Sequence, residues 1–331
     1  MGHAKLAADR DRDAVHLGRR EPFREPMGRE MSTLSFRIDL ARRPSGWASG
    51  LLGVICVAAL LLPSPAISEQ EPGGLVYPVD IVASDGSLVV ADFKAHALLR
   101  VDLDGAVATI VAGEGLPRTP LYGIRSVVEA PDGEGWIVAD PGTFGIYRVS
   151  SEGELSLITS EVDIPQGLAV FDEQSVLVSD LRGGIGAILR VTLDGVVTVF
   201  AELGSPKGIV ADGDDGFVVV SHGQRALLHL SREGSISIIA SGAPFDYPHD
   251  VLRLDEDTFV VSDGYAHALF KVTRSGQVTV LAQGAPLISP QGIARGPDNT
   301  MIVVDPQAGS VFQVTQEGTV TTIARVAGAG G

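Results

Sequence analysis

From Val79 to Arg325 the apolar residues fall in short runs, not at helical spacing, and the runs are broken by Asp-Gly, Glu-Gly, Ser-Gly or Pro-Asp steps. Runs rich in Val, Ile, Leu and Thr between such steps predict β-strands joined by tight turns. The pattern recurs about every 42 residues. The first copy reads "VDIVASDGSLVVADFKAHALLRVDLDGAVATIVAG" and the fifth "HDVLRLDEDTFVVSDGYAHALFKVTRSGQVTVLAQ". Six copies are present, each with four runs. A four-stranded antiparallel meander cannot bury both its faces alone, so the copies must stack, and units of this length stack radially. The chain is therefore predicted to be all-β: a six-bladed β-propeller of four-stranded antiparallel blades over residues 77–326. Every copy has its own four strands; residues 69–76 are an N-terminal arm that could still close the ring, and 327–331 a flexible tail.

Residues 31–68 break the pattern. Basic Arg37, Arg42 and Arg43 precede an apolar run from Leu51 to Leu62, and small Ala66 and Ser68 follow. This is the layout of a secretory signal peptide, with cleavage expected after Ser68 and no integral membrane span afterwards. The apolar run is too short to span a bilayer, which needs about 20 residues. A periplasmic or secreted protein is expected. Residues 1–30 form a charged leader that carries no interpretable signal. The sole cysteine, Cys56, lies in the signal, so the mature chain has no disulfide, thiolate zinc site or cysteine nucleophile.

Charge narrows the partners. Removing residues 1–68 takes away 10 of the 25 Lys+Arg and 7 of the 41 Asp+Glu, leaving 15 against 34, a formal charge of −19. Such a field repels nucleic acid and anionic membranes.

The six copies can be compared with one another. In a propeller the innermost strand starts at the face where the second strand ends, so residues at those two ends crowd one mouth of the central channel. The second-strand end reads Asp92, Asp140, Asp180, His222, Asp263 and Asp305. An aspartate before a tight turn accepts the turn's N–H groups, so the five carboxylates are expected to be structural and His222 to be the exception. The start of the innermost strand reads Val79, Arg125, Gln166, Lys207, His249 and Gln291, with Tyr122 as the other register for the second copy. Polar side chains aimed into a narrow channel need partners. Either Arg125 and Lys207 neutralise the aspartates one strand away, or Arg125, Lys207 and His249 receive an anion that Gln166 and Gln291 orient. Tyr265 and Arg182, two residues beyond the strand-end aspartates, join them as second-rank candidates. His96 and His267 share one loop position, which suggests a common turn role.

The pattern "P-x-G-I-x-x-x-x-D-G-x-x-x-V-x-D" resembles the NHL-repeat propellers and their gluconolactonase-like relatives over residues 77–326. That resemblance implies the propeller fold and leaves function open among hydrolases, lyases and binding modules. The segment "YPHDVLRLDEDTFVVSDGY" is similar to the peptidyl-hydroxyglycine amidating lyases. The resemblance implies three zinc histidines from alternate blades and a catalytic tyrosine matching Tyr265. Here the alternate blades offer Val79, Gln166 and His249, so two ligands are missing. The gluconolactonase-like metal ligands are missing too. His249, 14 residues before Asp263, resembles the histidine of virginiamycin B lyase, which implies a general base; the acidic magnesium ligands of that family are not matched.

The expected function is therefore a lyase or hydrolase acting on an anionic or carbonyl-containing small molecule. In it His249 is the base, Tyr265 or His222 donates a proton, and Arg125 and Lys207 hold the anion. A non-enzymatic NHL-type module binding a ligand or protein partner is the alternative, and a metal-dependent lactonase a weaker one. No cofactor is expected, with a divalent metal left open.

Overall fold

The computed structural model describes residues 74–326 and is a six-bladed β-propeller. The leader, the signal segment and the tail lie outside the described residues. Each blade is one antiparallel sheet of four strands in chain order. The innermost strands are Pro78–Ser84, Ser126–Glu129, Pro165–Asp172, Pro206–Ala211, Pro248–Arg253 and Ile293–Arg295. Among the described residues no helix is long and apolar enough to cross a membrane.

Burial rises and falls along each blade in a way that the residue pattern dictates. Second strands such as "SVLVSD" and "TFVVSD" are buried at every position, because neighbouring blades cover both faces. Fourth strands such as "VTVFAE" are mostly exposed or half-buried at the rim. The core is thus divided into apolar layers between blades; one joins Val218, Val220, Phe245, Phe259 and Val261 across blades 4 and 5. Fully burying a side chain of this size contributes roughly 1.5–3 kcal/mol. Repeated around the ring, these layers hold a fold that has no cysteine to staple it.

Among the described residues closure uses packing, not strand exchange. Blade 6 owns all four of its strands. Leu75 of the arm is wholly buried between blades 6 and 1 with Val90, Val304 and Val311, and Gly292 N–H donates to Val79 O at 3.1 Å across the seam.

Two features shape the channel mouth. First, the strand-end carboxylates Asp92, Asp140, Asp180, Asp263 and Asp305 are fully buried and bind backbone. Asp263 accepts from Asp246 N–H at 2.8 Å, Tyr247 N–H at 2.9 Å and Ala266 N–H at 3.0 Å; Asp92 does the same for Val76, Tyr77, Lys94 and Ala95. Asp92, Asp140, Asp263 and Asp305 each tie the loop entering the innermost strand to the loop leaving the second, whereas Asp180 holds the entering loop through Asp163 and Ile164 N–H. Second, the pairing of innermost with second strand slips between Pro78 and Asp80, Pro206 and Ile209, and Pro248 and Asp250. A bulge re-aims side chains, and here it turns two successive residues towards the channel.

Candidate functional site at the channel mouth

A cavity of about 280 Å³ runs down the propeller axis. Its upper layer is Val79, Arg125, Gln166, Lys207, His249 and Gln291. Arg125 occupies the second-blade position; Tyr122 instead stacks on His96 at 5.1 Å between centroids. Beneath lies a layer of Asp80, Ser126, Gly167, Gly208, Asp250 and Gly292, and then an apolar throat including Val82, Leu168, Ile209 and Val251.

His222 does not stand in the aspartate position. Pro206 pairs with Ser221 as Pro248 pairs with Asp263, so Ser221 is the residue that departs from Asp. Its hydroxyl donates to Gly204 O at 2.6 Å. His222 comes one residue later, where blade 1 has Phe93 and blade 5 has Gly264: the N–H of each bonds the carbonyl of Ser205, Tyr77 or Tyr247 respectively. His222 still faces the mouth, for its ring packs on Tyr247 at 4.6 Å.

Tyr247, which the sequence reading passed over, organises this side of the mouth. Against it lie His222, His249 at 5.0 Å and Tyr265, stacked at 4.6 Å. The Lys207 ammonium sits 5.7 Å from the centroid of the same ring. His222 and His249 are therefore separated by little more than one phenol ring. A Cβ placed at Gly264 would fall 2.9 Å from His249 Nε2, so the histidine needs glycine there. Across the mouth, Arg125 lies over Phe93 at 4.8 Å and Lys94 over Tyr77 at 4.4 Å.

The other candidates divide. Gln166 turns its amide back on Ile164 O and Pro165 O, both at 3.3 Å. Gln291 lines the cavity, and its carbonyl receives the Ser262 hydroxyl. Arg182 is not brought to the cavity: blade 3 has a longer loop with a short 3-10 turn, and the side chain is exposed near Glu161 O. Tyr265 is 62% exposed and forms the outer lip. His96 and His267 both adopt positive φ and bond a carbonyl of the next loop, Tyr122 O and Ile288 O.

The electrostatics of the upper layer are unusual. Among the described residues neither Arg125 nor Lys207 has an ion pair or a side-chain hydrogen bond. The expected neutralisation by strand-end aspartates therefore does not occur, because those carboxylates are spent on backbone N–H groups. Burial, then the charge of Arg125, lowers the Lys207 amine to about 8. Burial followed by Lys207 and Arg125 holds His249 well below its usual value; burial and Lys207 also lower His222, whose Nδ1 is buried without a partner. Burial raises the Tyr247 phenol. At neutral pH the mouth thus combines two cations, two uncharged imidazoles and a protonated phenol.

The lower layer adds two carboxylates that the sequence reading did not single out. Asp80 accepts from Ile81 N–H and, in blade 2, Val127 N–H, both at 2.9 Å. Asp250 accepts from Val251 N–H at 2.8 Å and, in blade 6, Ile293 N–H at 3.0 Å. Burial raises Asp80 to about 6, and burial with the charge of Asp80 raises Asp250 well above the carboxylate range. Only small residues fit between: a Cβ on Gly208 would meet Asp250 Oδ1 at 2.1 Å, and one on Gly292 would meet Asp80 Cα at 2.6 Å.

A divalent metal does not suit this donor set. Every oxygen of Asp80 and Asp250 already accepts a backbone N–H, Arg125 and Lys207 occupy the layer above, and no group of three His, Cys, Asp or Glu gathers among the described residues. The metal chemistry implied by the gluconolactonase-like resemblance has no matching ligands at this mouth.

No protein-family model matches the chain, and no curated protein matches it in sequence. Solved structures do. A catalytically inactive histidine-to-alanine variant of virginiamycin B lyase from Staphylococcus aureus, crystallised with quinupristin, is 18% identical with a TM-score of 0.60, over 77% of this chain and 86% of that one. Gluconolactonase from Xanthomonas campestris is 14% identical with a TM-score of 0.57, over 70% and 84%. A propeller from a nidogen–laminin complex is 15% identical with a TM-score of 0.58, over 75% and 92%. Likeness at these identities establishes the fold. The class of structure is a six-bladed propeller, and the solved structures like it include a lyase, a gluconolactonase and a chain of a nidogen–laminin complex.

Proposed function

We propose that this chain is an exported propeller enzyme, a lyase or hydrolase, that binds a small anion at the channel mouth and acts on it by acid–base chemistry. One observation carries the reading: Arg125 and Lys207 face the cavity without a protein counter-ion among the described residues. Both side chains are half-buried; even partial burial of an unpaired charge is costly, more so where two like charges share one cavity, so a ligand anion is the natural partner. The export reading is supported by the basic, apolar and small-residue layout between Arg37 and Ser68.

In this scheme His249, kept uncharged by burial and then by its cationic neighbours, is the base. Charge that develops on the substrate oxygen falls to Arg125 and Lys207. The imidazolium formed at His249 is offset by the anion that the same step creates. His222 or Tyr265 returns a proton to the leaving group, and Tyr247, which touches both rings, is a third donor. The virginiamycin B lyase variant supports the role of a histidine, since a single His-to-Ala change accompanies loss of catalysis there.

The test is a thermal-shift screen of small carboxylates, phosphates and lactones, followed by product analysis. A carboxylate or phosphate is expected to raise the melting temperature of the wild type but not of Arg125→Gln. His249→Ala is expected to keep binding and lose turnover by about 10²–10⁴-fold, the usual size of a general-base contribution. Absence of stabilisation by every anion in the screen would sink the reading. Stoichiometric zinc or calcium in the purified protein would restore the lactonase alternative.

A protein-binding role has one observation in its favour. Val76, Phe144, Ile164, Ile185, Tyr265 and Ile288 are exposed on loops at the mouth end, an apolar rim that a partner could cover. The nidogen–laminin complex shows a similar propeller engaged with a protein.

A further inference from the structure

We propose that Lys207 is a nucleophile that captures the carbonyl carbon of a 2-oxo carboxylic acid as an imine, while Arg125 holds the acid's carboxylate. This rests on the reading of the mouth as an anion site and adds to it a substrate class and a covalent step.

Lys207 and Arg125 have the setting that such a division of labour needs. Both line the cavity, and Arg125 remains a cation, able to bind a carboxylate bidentately but not to attack. Lys207 has no carboxylate beside it to fix its charge. An adjacent cation and a desolvated site are what activate a lysine amine, and its proton affinity is lowered to about 8. A lysine kept only as a counter-ion would gain from a partner acid, and the two carboxylates that line the same cavity, Asp80 and Asp250, are bonded to backbone instead. The chain is also poor in lysine: Lys5, Lys94, Lys207 and Lys271 are its whole complement. Among the described residues Lys94 lies over Tyr77 and Lys271 on a third strand, which leaves Lys207 as the lysine amine in the cavity. The aromatic rim of Tyr77, Phe93, Tyr247 and Tyr265 gives the side chain of the oxo acid an apolar seat.

In the reaction the Nζ lone pair forms a bond to the carbonyl carbon as the C=O π pair moves to oxygen. Both N–H protons then pass, one at a time through His249, to that oxygen, which leaves as water. Amine and carbonyl give imine and one water, with no oxidant or reductant consumed.

The experiment uses pyruvate and phenylpyruvate with cyanoborohydride, followed by peptide mapping. Hydride adds to the imine carbon, so the lysine gains the mass of the probe less one oxygen atom. Modification is expected at Lys207 at least tenfold above Lys94 and Lys271. The Lys207→Arg variant is expected to lose it while still being thermally stabilised by the same acids. Stabilisation without an adduct at Lys207, or equal labelling of all three lysines, would overturn the imine and leave the anion site standing. Neither labelling nor stabilisation by any anion would overturn both.

Discussion

At the scale of single residues, the mouth is built by desolvation more than by pairing, and Lys207 shows the cost. Its amine is held at about 8 in the folded chain against about 10.4 when unfolded. A base whose proton affinity falls on folding loses stability at every pH where the unfolded chain holds the proton more tightly. The penalty is complete below pH 8 and disappears as the pH climbs to the unfolded value. Lys207→Met is therefore expected to stabilise the protein at pH 7 by roughly 1–3 kcal/mol, less than full linkage because the channel admits water. The gain should shrink between pH 8 and 10, as denaturant melts at both pH values would show. A stabilising change that abolishes ligand binding is the signature of a functional site. Sequence comparison of the copies found Arg125, Lys207 and His249 because each differs from its five counterparts. It missed Tyr247, although Tyr77 repeats it before the same Pro in blade 1. It set His222 one residue too far back, an error that counting from the third strand avoids: Ala226 aligns with Ala268, and Ser221 then falls on Asp263.

At the scale of strands and loops, the buried strand-end carboxylates decide whether the mouth is shaped at all. The loop carrying Asp246 and Tyr247 is held by Asp263 through three backbone N–H bonds. Replacing Asp263 with Ala strands these donors beside an apolar core. A cost of roughly 2–4 kcal/mol is expected, from the desolvation penalty of groups left unmade and partly re-solvated. The same change should loosen Tyr247 and with it the seats of His249 and Lys207, so anion affinity should fall with stability. Asp180→Ala, which frees the loop of Asp163 and Ile164 in blade 3, should cost similar stability with little effect on affinity. Equal affinity losses in the two variants would argue against a local role for Asp263. The structural role of these aspartates was legible from turn chemistry, since five of six copies share them. The bulges were not legible: strict alternation sends residue 80 or 250 away from the channel if residue 79 or 249 faces it, and only a slip in pairing brings both round.

At the scale of the whole molecule, a ring of six separately complete blades must be fastened at its hub, and Asp80 and Asp250 do this. Asp80 sits against Gly292 of blade 6 and binds Val127 of blade 2; Asp250 sits against Gly208 of blade 4 and binds Ile293 of blade 6. Together they span every blade but the third. The repeat period made the six blades plain from sequence, whereas a fastening between copies at different positions leaves no periodic trace. The fastening has a pH signature. Folding raises both carboxyls, Asp80 to about 6 and Asp250 well above its usual value, against about 3.9 unfolded. The folded state then binds more protons than the unfolded one through the window from about 4 to 6. Stability from these groups is full below pH 4; for Asp80 it is lost as pH rises through about 6, and for Asp250 the loss runs in the same direction. His249 and His222 act in the opposite sense over part of this range, since their lowered values cost stability as pH falls below about 6.5, so the raw melting curve mixes the two. The comparison with Asp250→Asn separates them, because both proteins keep the histidines. The melting temperature of the wild type relative to Asp250→Asn should be highest at pH 4 and below and should fall by several degrees as the pH rises. A difference that rises with pH instead would mean that the pair is ionised and paid for by charges in the channel, with Arg125 and Lys207 as the first to test.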